Sequence, residues 1–230
     1  MSVKFIPKEL KDNVNVSKVT AGKEFFRLVA EILGVLLILY IALGLAVDFI
    51  APRISAGTES KLGKLFSAKY DDKDYPLARE ELQKILDELV MKATLAKFNY
   101  AAHLEKNPQV NALALPAGSI LIYSGLLKQA TSKNELAMVL AHELGHFAHR
   151  DHLRGLGRGL VFLVLSSVTL GADSGVSKFI ANSLSSVEMK FSQAQEKDAD
   201  IYAVELLNKT YGNVAGATDF YEKMAVKEKI

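Results

Sequence analysis

The five residues His142-Glu143-Leu144-Gly145-His146 constrain this chain more than any other feature. They lie in a stretch that reads as helix. Ser132 followed by Glu135 is a capping box, and Leu136, Val139, Leu140, Leu144 and Phe147 then recur at helical spacing. On a helix, residues four apart share a face, one turn apart. His142 and His146 therefore point the same way and can hold one metal ion. Zn²⁺ favours nitrogen ligands, and a catalytic zinc has three protein ligands and an open position for water. Glu143 lies beside that position. It can take the proton from the water as a peptide carbonyl is attacked.

The motif leaves a third ligand to be found, and two candidates compete. His152 falls where an HExxHxxGxxH pattern would place it, but His149 occupies the glycine position that lets such a chain turn sharply. A histidine there predicts a helix that continues and carries His152 off the metal face. The other candidate is Glu196, in the segment Phe191–Asp200, with Asp200 one turn further on. Asp200 could accept a hydrogen bond from a ligand histidine's other ring nitrogen and fix its orientation. Without the upstream motif, this stretch would read as a solvated charged helix face. With it, Glu196 is the favoured ligand.

Three motifs together resemble the membrane-associated gluzincin metallopeptidases. They are His142–His146, Gln195-Glu196-Lys197-Asp198-Ala199-Asp200, and Asn111-Ala112-Leu113-Ala114-Leu115-Pro116-Ala117-Gly118. The group includes HtpX-like heat-shock proteases, CaaX prenyl endopeptidases, Oma-type mitochondrial proteases and outer-membrane-assembly proteases. The resemblance covers residues 75 to 225. Leu113 stands where the group has an aromatic residue, and Ala117 where it has a glycine. The resemblance implies His142, His146 and Glu196 as ligands of one Zn²⁺ per chain, and Glu143 as general base. His149 lies nearly two turns after His142 and shares the ligand face. It is a candidate for a supporting group, a gating ligand of a latent state, or a hydrogen-bond donor to the transition state. A histidine merely packed near the site is the alternative.

Leu28 through Ile50 is a nearly unbroken apolar run, with Glu31 and Asp48 as its charges. About 20 apolar residues span a bilayer core, so a single transmembrane helix is expected, with the lipid bilayer as a partner. Lys8, Lys11, Lys18, Lys23 and Arg27 precede the run; Arg53, Lys61, Lys64 and Lys69 follow it. This slight bias favours a cytoplasmic N-terminus. The expected location is a bacterial inner membrane, with the catalytic domain outside the cytoplasm. The net charge is +2, from 28 basic and 26 acidic residues, and no large basic face stands out, so nucleic acid is not an expected partner. The absence of cysteine excludes disulfides and thiolate zinc sites.

The expected organisation is a polar arm over residues 1–27, the transmembrane helix over 28–50, a connector over 51–74 and a metallopeptidase domain over 75–230. Asp74 could cap a helix with Pro76 in its first turn, carrying Leu77, Leu82, Ile85, Leu86, Leu89 and Val90 at helical spacing. Phe98 to Leu104, Val110 to Leu115 and Ser119 to Tyr123 read as strands. The run Leu160 to Leu170 is too short to span a bilayer alone, and core packing, an interfacial position or a flexible hairpin is expected of it. A long helix is expected from Ser177 to Asn208, and a last one from Ala215 to Lys227. The fold class is α+β, mostly helical and zincin-like, with a small sheet and the N-terminal transmembrane helix.

A strand that ends in proline suits a sheet edge. Asn111, Ala112, Leu113, Ala114 and Leu115 are therefore candidates for pairing with an extended protein or peptide substrate through the backbone; an ordinary hairpin is the alternative. The function expected is a membrane-tethered zinc endopeptidase in membrane or envelope protein quality control. A zinc-bearing chaperone-like module without proteolysis is the rival. An intact Glu143 speaks against it, since a pure binding module has no need of that residue.

Overall fold

The computed structural model describes residues 20–67, 76–171, 173–175, 178, 191–219 and 222. Helix α1 runs from Ala21 to Ile50. By its internal contacts the chain divides into two units, with the boundary between Ala42 and Leu43. In the first unit α1 exposes Phe25, Phe26, Leu28, Ile32, Leu33 and Ile38. The most apolar 18-residue window within Gly22–Arg53 has a mean hydropathy of 2.6, and the span is long and apolar enough to cross a membrane.

In the second unit, a 3₁₀ turn over Ala51–Arg53 leads into helix α2, Ala56–Ser67. The segment expected to be a plain connector is thus helical over much of its length. Helix α3, Pro76–Val90, buries Leu82, Ile85, Leu86 and Leu89 at the predicted spacing; its expected cap, Asp74, lies outside the described residues.

Three strands follow: β1 (Ala101–Glu105), β2 (Ala112–Leu115) and β3 (Ser119–Tyr123). β1 is shorter than the expected run, because the Phe98 amide closes a tight turn on the Ala96 carbonyl at 2.9 Å and keeps Phe98 out of the ladder. The sheet order is β1-β3-β2, with β1 parallel and β2 antiparallel to β3. β2 is therefore an edge strand among the described residues. The Tyr123 amide donates to the Asn111 carbonyl at 3.0 Å, and Leu113 sits opposite Leu121. In an antiparallel ladder, bonded and non-bonded pairs alternate. Asn111, Leu113 and Leu115 therefore face β3, while the backbone groups of Ala112 and Ala114 point away from it. Between β2 and β3 the connection Pro116–Gly118 is a 3₁₀ turn with Ala117 at φ 67°, a left-handed conformation.

One sheet face, with Ala102, Ala112, Ala114, Ile120 and Ile122, packs on α3, on α5 and on Leu206 and Leu207. Leu113, Leu115, Leu121 and Tyr123 form a separate cluster on the other face. A short helix α4, Ser124–Gln129, leads to α5, Lys133–His149. The Ser132 hydroxyl caps α5 by accepting from the Glu135 amide at 3.2 Å. The Glu135 carboxylate reaches back to the Thr131 amide, also at 3.2 Å.

α5 ends at His149, contrary to the continuing helix expected there. Arg150 adopts a left-handed conformation, φ 63°, and its amide caps the carbonyls of His146 and Phe147. Helix α6 then runs from Asp151 to Leu170. It absorbs the apolar run that was too short to span by itself, and as a whole it is long and apolar enough to cross a membrane. That run is not core: Leu160, Phe162, Val164, Val168 and Leu170 are exposed. Near its start, α6 meets the end of α1. A Cβ on Gly157 would lie 2.6 Å from Val47, and Arg158 grips both Asp48 oxygens at 2.8 Å.

Helix α7 spans Gln193–Tyr211 and begins at a complete capping box between Ser192 and Gln195. The longer helix expected from Ser177 is therefore interrupted before Gln193; residues 179–190 lie outside the described residues. Of the helix expected over Ala215–Lys227, only Asp219 and Glu222 are described as helical. α7 crosses α5 at Gly145, where an added Cβ would stand 2.9 Å from the Ala199 Cα. That close approach brings the two site-bearing helices together.

Candidate metal centre and active site

One turn apart on α5, His142 and His146 present their Nε2 atoms 3.2 Å from each other. Across the α5–α7 contact, Glu196 places Oε2 3.3 Å from His142 Nε2. One ligand atom from each of the three residues lies within 4.8 Å of the other two. Ligands at tetrahedral zinc distances are separated by about 3.3 Å, so two of these spacings match a common tetrahedron.

The far side of each imidazole is held by a carboxylate. His142 Nδ1 lies 2.9 Å from Asp200 Oδ1, and His146 Nδ1 lies 3.2 Å from Asp151 Oδ2. An ionised carboxylate only accepts, so each Nδ1 carries the hydrogen, and in the neutral ring each Nε2 keeps a lone pair. Two lone pairs and a carboxylate aimed at one small volume repel one another unless a cation lies between them. The donor set therefore fits a metal ion.

The electrostatics agree. Burial works against a proton on His142, but Asp200, then Glu196 and Glu143, outweigh it and push its pKa up to about 10. The carboxylates that favour a proton there also favour a divalent cation in its place. The His142 hydrogen bond holds Glu196 below the usual carboxylate range, against its own partial burial. Burial pushes the Glu143 carboxyl up, opposed by His142, His146 and the backbone amide of Ala114. That amide is one of the two on β2 that point away from β3. Glu143, 6% exposed, is thus held between His142, His146 and the edge strand.

Of the residues singled out in the sequence, His142, Glu143, His146, Glu196, Asp200 and Ala114 come together here. Ala112 and Leu113 lie further along β2, and Asn111 precedes it, its side-chain oxygen accepting from the Ala112 amide at 2.9 Å. Leu115 is fully buried on the opposite sheet face. His149 is outside the metal group: its ring meets Tyr202 edge-on, centroids 6.0 Å apart, and its Nδ1 is buried with no hydrogen-bond partner among the described residues. His152 is turned away by the left-handed Arg150. It lies fully buried behind His146, with Nε2 2.9 Å from Glu59 Oε1.

Four contributors escaped the sequence reading. Asp151 orients His146. Phe191 stacks on the His146 ring, with centroids 3.9 Å apart and planes at 27°. Arg150 makes the turn between α5 and α6, and Glu59 pairs with both Arg150 and His152. Burial holds no unpaired carboxylate cheaply; at Glu59 it pushes the pKa up, but His152, the Ala117 amide and Arg150 outweigh it and hold the carboxyl below its ordinary range.

A two-histidine, one-glutamate centre on crossing helices, with a second glutamate between ligands and edge strand, defines a metallopeptidase of the zincin type. The family assignment agrees: the model of peptidase family M48 matches residues 76–226, and the chain belongs to that family. Among curated proteins it is similar to the β-barrel assembly-enhancing protease of Yersinia pestis, 25% identical over 65% of this chain and 33% of that protein. It is also similar to metalloprotease LoiP of Escherichia coli, 32% identical over 57% of this chain and 53% of that one. The mitochondrial metalloendopeptidase OMA1 of Arabidopsis thaliana is 34% identical over 51% of this chain and 24% of its own length. The chain thus spans between about a quarter and about half of these relatives.

Proposed function

We propose that this chain is a membrane-tethered zinc endopeptidase, with one Zn²⁺ per chain, that cleaves protein substrates bound extended along β2. The observation that carries the reading is the convergence of three ligand atoms beside Glu143, each histidine backed by its own carboxylate. His142, His146 and Glu196 would hold the metal. When bound, Zn²⁺ supplies Lewis acidity for the scissile carbonyl and for the attacking water.

The chain's own residues do the rest. Glu143, ionised, accepts the proton of the attacking water and delivers it to the leaving amine. Its burial raises its basicity, which suits it to hold that proton between the two transfers. The Ala114 amide steadies the carboxylate on the substrate side. The carbonyls of Ala112 and Ala114, directed away from β3, are placed to pair with an extended chain, which gives affinity with little demand on sequence. Asp151 and Asp200 keep both imidazoles in the ligating tautomer.

The exposed apolar length of α1 supports the tether, and the charge bias around it supports a catalytic domain outside the cytoplasm of a bacterial inner membrane. A relative named for β-barrel assembly supports a role in envelope protein quality control. The test is metal analysis of the full chain purified in detergent, paired with a casein-type assay. One zinc per chain, and activity lost to chelation and restored by added Zn²⁺, is expected. Absence of stoichiometric metal would overturn the reading.

A further inference from the structure

We propose that Glu59, on α2, is a positioning residue of the active site: one buried carboxylate holds both the turn after the edge strand and the cap of the metal-binding helix. The proposal rests on the peptidase reading above. Glu59 lies in the segment expected to be a mere connector, before the residues that the family model matches. Yet its side chain is wholly buried. Oε1 accepts from the Ala117 amide at 3.1 Å and from His152 Nε2 at 2.9 Å. Oε2 accepts from the Arg150 guanidinium, which also donates to the Ile54 carbonyl.

Both ends of this bridge are left-handed non-glycine residues. Ala117 has φ 67° and Arg150 φ 63°. Such conformations persist where surrounding structure over-determines them. Ala117 is the middle residue of the turn at which β2 stops. Arg150 separates His146, whose carbonyl it caps, from Asp151, which orients the His146 ring. His152, Glu59's third partner, directs Nδ1 to the same His146 carbonyl at 3.4 Å. Gly63, one turn after Glu59 on the same face of α2, is pressed on the turn as well: an added Cβ would lie 2.4 Å from Ala117 Cβ and 2.8 Å from the Pro116 carbonyl oxygen. α2 thus braces the substrate strand and the metal helix against each other, and the spacing between Ala114 and Glu143 depends on it.

The experiment uses the full chain in detergent as wild type, Glu59→Gln and Glu59→Ala. Zinc content, melting temperature, and kcat and KM on a quenched peptide are measured for each. Glutamine keeps a carbonyl oxygen for the Ala117 amide; alanine keeps nothing. Losing the anchor of the strand should raise KM about tenfold in Glu59→Ala, the scale of one lost hydrogen bond. Glu59→Gln keeps the Ala117 contact but sets an NH2 donor against the Arg150 guanidinium, so it should raise KM less than Glu59→Ala, and both should retain zinc. Gly63→Ala displaces the same turn from the other contact and should also raise KM with zinc retained, which covers the case of an unfolded Glu59→Ala. A lowered melting temperature with wild-type KM in every variant would overturn the proposal, as would Glu59→Gln as impaired as Glu59→Ala. Absence of cleavage by wild-type protein would instead overturn the peptidase reading, and with it the role assigned to Glu59.

Discussion

Asp151 Oδ2 lies 3.2 Å from His146 Nδ1, across the left-handed residue that ends the helix carrying both site histidines. The Asp151 side chain is 1% exposed. Its other oxygen accepts from Gln195 Nε2 at 2.6 Å and Arg154 Nη1 at 3.0 Å. Gln195 neighbours Glu196, so one carboxylate orients His146 on α5 and steadies the start of the helix that carries Glu196.

Asp151→Asn should therefore weaken zinc binding about 10- to 100-fold, the usual effect of removing a carboxylate that orients a ligand histidine. Competition with a coloured chelator measures this. Asp200→Asn acts on His142 in the same way, but half of the Asp200 side chain faces solvent, so a smaller loss is expected. Unchanged zinc affinity in both variants would remove the orienting roles.

Gly145→Ala tests the crossing of α5 and α7. The added methyl would meet the Ala199 backbone at 2.9 and 3.1 Å. Backbone cannot swing aside as a side chain can, so the helices must part and Glu196 must move from the histidines. Overpacking of this kind costs about 1–3 kcal/mol. A lower melting temperature and reduced zinc content are expected together; normal values of both would show that the crossing tolerates the methyl.

The local signals of this fold were legible in the sequence. Ser132 starts α5, the i, i+4 histidines share a face, and proline ends the edge strand. The Ser192–Gln195 capping box was equally present, and reading it would have started α7 at the right place. What escaped were the contacts across long separations. Glu59 meets Arg150 and His152 over 91 and 93 residues, and no local pattern encodes such pairs. Arg150 escaped for a different reason. A left-handed turn is read from glycine or asparagine, and here an arginine takes the conformation because buried Glu59 holds its side chain. Asp151 was hidden in consequence, since a continuing helix would have pointed it elsewhere.

Glu59 also sets an acid limit. Unfolded, its carboxyl titrates near the ordinary value of 4.5, and in the folded protein it is held lower. Its stabilising contribution is complete above that value and is lost as the pH falls through the folded one. The melting temperature of wild type should therefore fall more steeply below pH 4.5 than that of Glu59→Gln. Parallel curves would show that the carboxylate is not ionised in the fold.

Ala114→Pro probes the edge strand. Ala114 and Ile120 form a non-bonded pair of the ladder, so proline at 114 removes no bond to β3. It removes the amide that faces Glu143. A folded, zinc-loaded protein with kcat lowered about tenfold or more is expected, on the scale of one lost hydrogen bond in a closed site. Wild-type kinetics in that protein would show that the amide does not support Glu143.

Glu143→Gln carries the central claim. In the proposed mechanism Glu143 acts on water and is not a ligand, so the variant should bind zinc in the same stoichiometry as wild type. General-base assistance alone is worth about 10²–10⁴ in rate. Turnover of a quenched peptide by zinc-loaded Glu143→Gln, measured beside zinc-loaded wild type, should therefore fall by at least about a hundredfold. Wild-type turnover in the zinc-loaded variant would contradict the account.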